Sequence, residues 1–83
     1  MAKRRIIVDA VWDAEAGVFV ATSHDVPGLV AEAGTVEALS AKLDVLVPEL
    51  LELNAADGFE PSSEVELVLL AERRNTVRLP APA

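Results

Sequence analysis

Arg5-Ile-Ile-Val-Asp-Ala-Val-Trp-Asp-Ala-Glu-Ala-Gly-Val-Phe-Val-Ala-Thr-Ser23 is the stretch that decides the fold. Over residues 5–13 the apolar side chains alternate. Ile6, Val8, Ala10 and Trp12 share one face, and Ile7 and Val11 stand between charges on the other. A period of two marks a strand, because successive side chains of an extended chain point to opposite sides. Asp13-Ala-Glu-Ala-Gly17 follows as a polar turn, in which Gly17 supplies a positive φ. Val18 to Ser23 is a second strand, and so short a link makes the pair an antiparallel hairpin.

After the hairpin, His24-Asp25-Val26-Pro27-Gly28 is turn chemistry, with Pro27-Gly28 suited to the centre of a type II turn. Leu29 to Ala33 then reads as a short third strand, antiparallel to the second. Gly34-Thr35 opens a helix with Thr35 as N-cap. From there Val36, Leu39, Leu43, Leu46, Leu50 and Leu53 recur at spacings of three and four, a helical stripe that Val47 and Leu51 widen. The stripe is expected to be core, with an interface share for Val47 and Leu51. Pro48 removes the hydrogen bond to the carbonyl of Asp44 and is expected to kink the helix. Asn54, Gly58 and Pro61-Ser62-Ser63 are its stop signals. Glu64 to Ala71 is a fourth strand, apolar on both faces from Leu67 onward, and residues 73–83 form a short basic, proline-containing tail.

The order β-β-β-α-β predicts an α+β domain, a mostly antiparallel four-stranded sheet with one helix packed on one face. The link through the helix is too long for a hairpin, so it carries the fourth strand across to lie parallel to the first, giving strand order 3-2-1-4. One face is then covered and the other bare, although the first and fourth strands carry apolar residues on both. A homodimer or higher homo-oligomer is therefore expected, with Val68 and Leu70 under the mate.

Composition points the same way. Eighty-three residues allow one domain, its core about residues 5–72. At 8.8 kDa the folded surface should be about 4,800 Å², so only about 63% of the chain's surface is buried. Eleven Leu, twelve Val and two Ile are much to hide in such a body. Fourteen acidic against seven basic residues give a net charge of −7, which argues against direct nucleic-acid binding and suits a basic protein partner. Without cysteine there is no disulfide, thiolate metal site or cysteine nucleophile. Lys3-Arg4-Arg5 and the brief Ile6-Ile7-Val8 run, broken by Asp9, do not read as a signal peptide, and no apolar run is long enough to span a membrane; a cytoplasmic protein is expected.

The chemistry-bearing residues assemble into no catalytic set. Asp9, Asp25, Glu37 and Asp44 could be cast as metal carboxylates, but a two-metal site needs three or four converging on the ions. Asp9 lies mid-strand between Ile7 and Val11, and the fourth strand offers no inward acid to join it. Ser23-His24-Asp25 are consecutive and point alternately, which rules out a triad. His24 is the only histidine. No cofactor, metal site or enzymatic activity is expected. Arg73, Arg74 and Arg78 read either as a solvated tail or as a docking arm for an acidic neighbour.

Three segments in series carry a family resemblance: Trp12-Asp13 with Glu15 and Gly17 at the hairpin, then Asp25-Val26-Pro27-Gly28-Leu29, then Gly34-Thr35-Val36-Glu37-Ala38-Leu39. Together they resemble the HicB-like antitoxin domain, in particular its small stand-alone relatives of unknown function, over residues 5 to about 72. The resemblance implies a partial RNase H fold and a non-enzymatic role, binding and occluding a small basic mRNA-cleaving toxin of the HicA type. Antitoxins of that family usually add a C-terminal DNA-binding module, for which the ten or so residues after the fourth strand are too few. Ala38 also stands where many members place the Glu of a capping box. The residues expected to meet a toxin are Asp13, Glu15 and Asp25, with Trp12 as an apolar anchor. Reversing Asp25 and Glu15 to lysine should slow association with little loss of fold. The alternative is a stand-alone oligomeric interaction domain without a toxin partner.

Overall fold

In a computed structural model, which describes residues 4–53 and 64–82, the alternating stretch is a ten-residue strand, β1 (Arg4–Asp13). Its even residues Ile6, Val8 and Ala10 are buried and its odd ones exposed. Antiparallel to it runs β2 (Val18–Thr22), paired from Asp13 opposite Val18 to Asp9 opposite Thr22. The connection is closed by the Gly17 amide, which donates to the Asp13 carbonyl at 2.8 Å, with Gly17 at φ 69°. Pro27-Gly28 forms the expected type II turn. The Leu29 amide donates to the Val26 carbonyl at 3.1 Å, and Gly28 sits at φ 83°. The third strand, β3 (Val30–Ala33), begins one residue later than its apolar pattern suggested, since Leu29 closes the turn and is buried.

The helix α1 (Val36–Leu53) starts on Thr35, whose Oγ1 accepts from the Ala38 amide at 3.0 Å. Its buried seam is Leu39, Leu43, Val47 and Leu51, a strict four-residue repeat. Leu46 and Leu50 are half-buried at the margin, while Val36 and Leu53, the ends of the expected stripe, are exposed. Val47 and Leu51 are thus core residues rather than interface residues. Pro48 faces solvent, and the helix continues through it to Leu53. The expected stop signals lie outside the described residues.

The fourth strand, β4 (Val65–Glu72), lies parallel to β1, with Ile6 opposite Leu67 and Val11 opposite Glu72. The sheet order is 3-2-1-4, and the whole is an α+β domain. The helix packs over β3 and β2, where the core positions are the small Ala21, Ala31 and Ala33. The bulk comes from Ile6 and Val8 of β1, Phe19 of β2, Val26 and Leu29 of the connecting loop, and half-buried Leu67 and Leu69 of β4. Fully burying one such side chain contributes about 1.5–3 kcal/mol, so this cluster is what holds helix to sheet.

The two sheet edges differ. On the β3 side, Lys42 of α1 donates its Nζ to the Glu32 carbonyl, and a lysine there deters further strand pairing. On the β4 side, β1 is the strand's single sheet neighbour among the described residues. Beyond Glu72 every described residue is exposed. The molecule measures 64 × 27 × 19 Å with a radius of gyration of 16.6 Å, against about 12 Å for a compact chain of this length. Residues 73–82 are an arm that projects past the sheet.

Candidate functional site

The face of the sheet opposite the helix is open. Strand register fixes which residues lie side by side on it. Glu32, Val20, Val11 and Glu72 form one row across the four strands, and Val30, Thr22, Asp9 and Leu70 form the next. Ile7 stands opposite Val68 beyond them, then Arg5 opposite Glu66, whose side chains approach to 3.8 Å. Ile7, Val11, Val30 and Leu70 are 40%, 56%, 64% and 53% exposed, and Val68 is half-buried. This face interleaves aliphatic side chains with Asp9, Glu32, Glu66 and Glu72. Sequence reading found Val68 and Leu70 on it. The acids were missed as a group because they come from separate segments, though each sits at an odd position of β1 or an even position of β3 or β4.

The four residues expected to meet a partner do not form one patch. Trp12, Asp13 and Glu15 cluster at the hairpin. Asp25 sits beside Ile7, six residues back along β1, or about 20 Å. Trp12 lies on the helix side of the sheet and is half-buried. Its ring meets Phe19 edge-on at 4.9 Å between centroids, and the Arg73 guanidinium lies 4.0 Å from its centroid. Asp13 holds the turn: its Oδ1 accepts from the Glu15 and Ala16 amides at 3.1 and 3.2 Å. Glu15 is exposed.

Asp25 has a structural task that the sequence did not disclose. Continuing the β1–β2 register would put His24 opposite Ile7, but β2 ends at Thr22. Two side chains stand in for the missing ladder. Ser23 Oγ donates to the Ile7 carbonyl, and Asp25 Oδ2 accepts from the Ile7 amide at 2.9 Å. Ser23 Oγ also accepts from the Asp25 amide at 3.0 Å, which fixes the pair. Reversing Asp25 to lysine would remove the acceptor of the Ile7 amide, so that substitution is expected to cost stability as well as charge. The only trace of the clasp in the sequence is Ser-x-Asp ahead of Pro-Gly, and its partner Ile7 lies sixteen to eighteen residues upstream.

The carboxylates considered as metal ligands are dispersed. Asp9 is on the open face and α1, with Glu37 and Asp44, is on the other. Among the described residues no three His, Cys, Asp or Glu side chains gather as a metal site. No described helix is long and apolar enough to cross a membrane.

Comparison with known proteins yields no match among curated ones. Among solved structures, the chain is similar to the crystal structure of hypothetical protein TTHA1013 from the extremely thermophilic bacterium Thermus thermophilus. The two are 47% identical, with a TM-score of 0.66, over 92% of this chain and 100% of that one. A family model, described as a domain of unknown function, matches residues 5–81, hence the sheet, the helix and most of the arm. On that match the chain belongs to the DUF1902 family.

Proposed function

We propose that this protein is a non-enzymatic interaction domain of the HicB type, which binds and occludes a small basic mRNA-cleaving toxin resembling HicA. The observation that carries the reading is the open sheet face, where exposed Ile7, Val11, Val30 and Leu70 stand among Asp9, Glu32, Glu66 and Glu72. Mixed apolar and acidic character suits a basic protein surface: the acids steer the encounter and the aliphatics hold it. All fourteen acids of the chain lie within residues 1–72, beside only Lys3, Arg4, Arg5 and Lys42 as bases. Glu15, exposed at the hairpin, extends this acidic character; Trp12, Asp13 and Asp25 support it through the fold. The series of hairpin, Pro-Gly turn and Thr-capped helix adds the family resemblance.

The test is co-expression with a small basic protein encoded beside this gene. Co-purification and rescue of growth are expected, and Glu15→Lys with Asp9→Lys should weaken both. A pair that neither co-purifies nor rescues growth overturns the toxin reading in favour of a stand-alone oligomeric domain. The projecting arm favours that second reading.

A further inference from the structure

We propose that residues 73–80 are an exchanged strand: the arm of one copy pairs antiparallel on the outer edge of β4 in a second copy, an edge that no other described strand occupies, and the reverse, across a two-fold axis near the end of β4. The inference is independent of the toxin reading, since it concerns the protein alone.

The first observation is direction. β4 runs parallel to β1, and Glu72 lies opposite Val11, so only Trp12 and Asp13 of β1 remain beyond it. The arm therefore leaves where the sheet ends. No glycine follows residue 58 to turn it back. Fully extended, ten residues reach about 33 Å, in keeping with the 64 Å long axis.

The second observation is that the alternation of β4 continues into the arm. Arg73 lies over the ring of Trp12, on the helix side with Leu67 and Leu69. Arg74 Nε pairs with Glu72 Oε2 at 3.1 Å, on the open side. Carried on, the period of two puts Val77 and Leu79 on the helix side and Arg78 on the open side.

The third observation is complementarity. In an antiparallel pair across a two-fold axis, opposed residues share a face and have equal parity. Val77 and Leu79, 78% and 82% exposed, would then cover the half-buried Leu67 and Leu69 of the other copy. Arg74 and Arg78 would meet the side that carries Glu66 and Glu72. The arm has three arginines and no acid, while the body holds every acid of the chain. An exposed apolar edge strand is a template for strand addition, and here the chain carries the matching strand. The family match extends to residue 81, so it includes the arm.

Light scattering at tens of micromolar is expected to give twice the 8.8 kDa chain mass. Val77→Asp with Leu79→Asp should give a single-chain mass and at least a hundredfold weaker association, with cooperative urea unfolding of the body retained because both residues are exposed. A wild-type mass of one chain overturns the proposal, as does a double variant that stays dimeric. Should the double variant lose its fold, the cysteine-free sequence allows a second measurement. Leu69→Cys chains mixed with Val77→Cys chains should oxidise to a covalent pair, and Leu69→Cys mixed with Val45→Cys on the exposed side of α1 should not. Equal yields in the two mixtures, or none in either, overturn the exchange.

Discussion

Asp25 and Asp13 show how misleading an exposed carboxylate is when only its charge is read. Both bind backbone amides, Asp25 that of Ile7 and Asp13 those of Glu15 and Ala16. A hydrogen bond to a charged acceptor contributes about 1.5–3 kcal/mol when sheltered and less when exposed. Asp25→Ala is therefore expected to lower stability by about 1–2 kcal/mol, read as a shift in urea midpoint at unchanged slope. Glu15→Lys, on a residue whose side chain holds no backbone group, should stay within about 0.5 kcal/mol. Equal effects from the two would contradict the clasp. Trp12, the sole tryptophan, is legible in the sequence as a hairpin residue. Its cover is not, because Arg73 comes from the far end of the chain. An arginine over an indole contributes about 0.5–1 kcal/mol at exposed sites. Arg73→Ala should cost that much and make the fluorescence of Trp12 more open to iodide quenching.

Among the elements, strands were easier to read than the helix seam, for a geometric reason. In a strand one register places every side chain, so Ile6, Val8 and Ala10 could only face one way. A helical stripe offers two near-equivalent diagonals, rows of three-four spacing and rows of four. The sheet beneath decides between them, and here it selects Leu39, Leu43, Val47 and Leu51. Val36 and Leu53 are exposed although they continue the leucine pattern. Pro48 was legible as an anomaly, and its solvent-facing position explains why the helix tolerates it. Proline in a helix interior is about 3 kcal/mol less favourable than alanine, partly offset by the entropy it removes from the unfolded chain. Pro48→Ala is expected to raise stability by about 1–2 kcal/mol in thermal or urea unfolding. A loss instead would mean that the proline shapes the seam at Val47 and Leu51.

At the scale of the whole molecule, charge and hydropathy are divided between an acidic body and a basic arm. The accessible surface of 6407 Å² is about a third larger than the roughly 4,800 Å² expected of a compact chain this size. The excess of aliphatics in the sequence foretold that the chain leaves apolar surface uncovered, and the order of elements foretold β4 parallel to β1; the course of the arm past the sheet came only with the tertiary structure. Two kinds of contact would join the exchanged arms, and salt separates them. Exposed ion pairs contribute at most about 1 kcal/mol each and are screened, whereas an apolar ladder of Val77 and Leu79 on Leu67 and Leu69 is not. Raising ionic strength from about 0.1 M to about 1 M shortens the screening length from about 10 Å to about 3 Å. Loss of the pairs made by Arg74 and Arg78 on both arms should then remove about 1–2 kcal/mol, or roughly a tenfold rise in the dimer's Kd by sedimentation. With Arg74→Ala and Arg78→Ala the Kd should start higher and become nearly independent of salt. Association that strengthens with salt in the wild type would instead place the join on the open aliphatic face around Ile7 and Val11, with the arms left free.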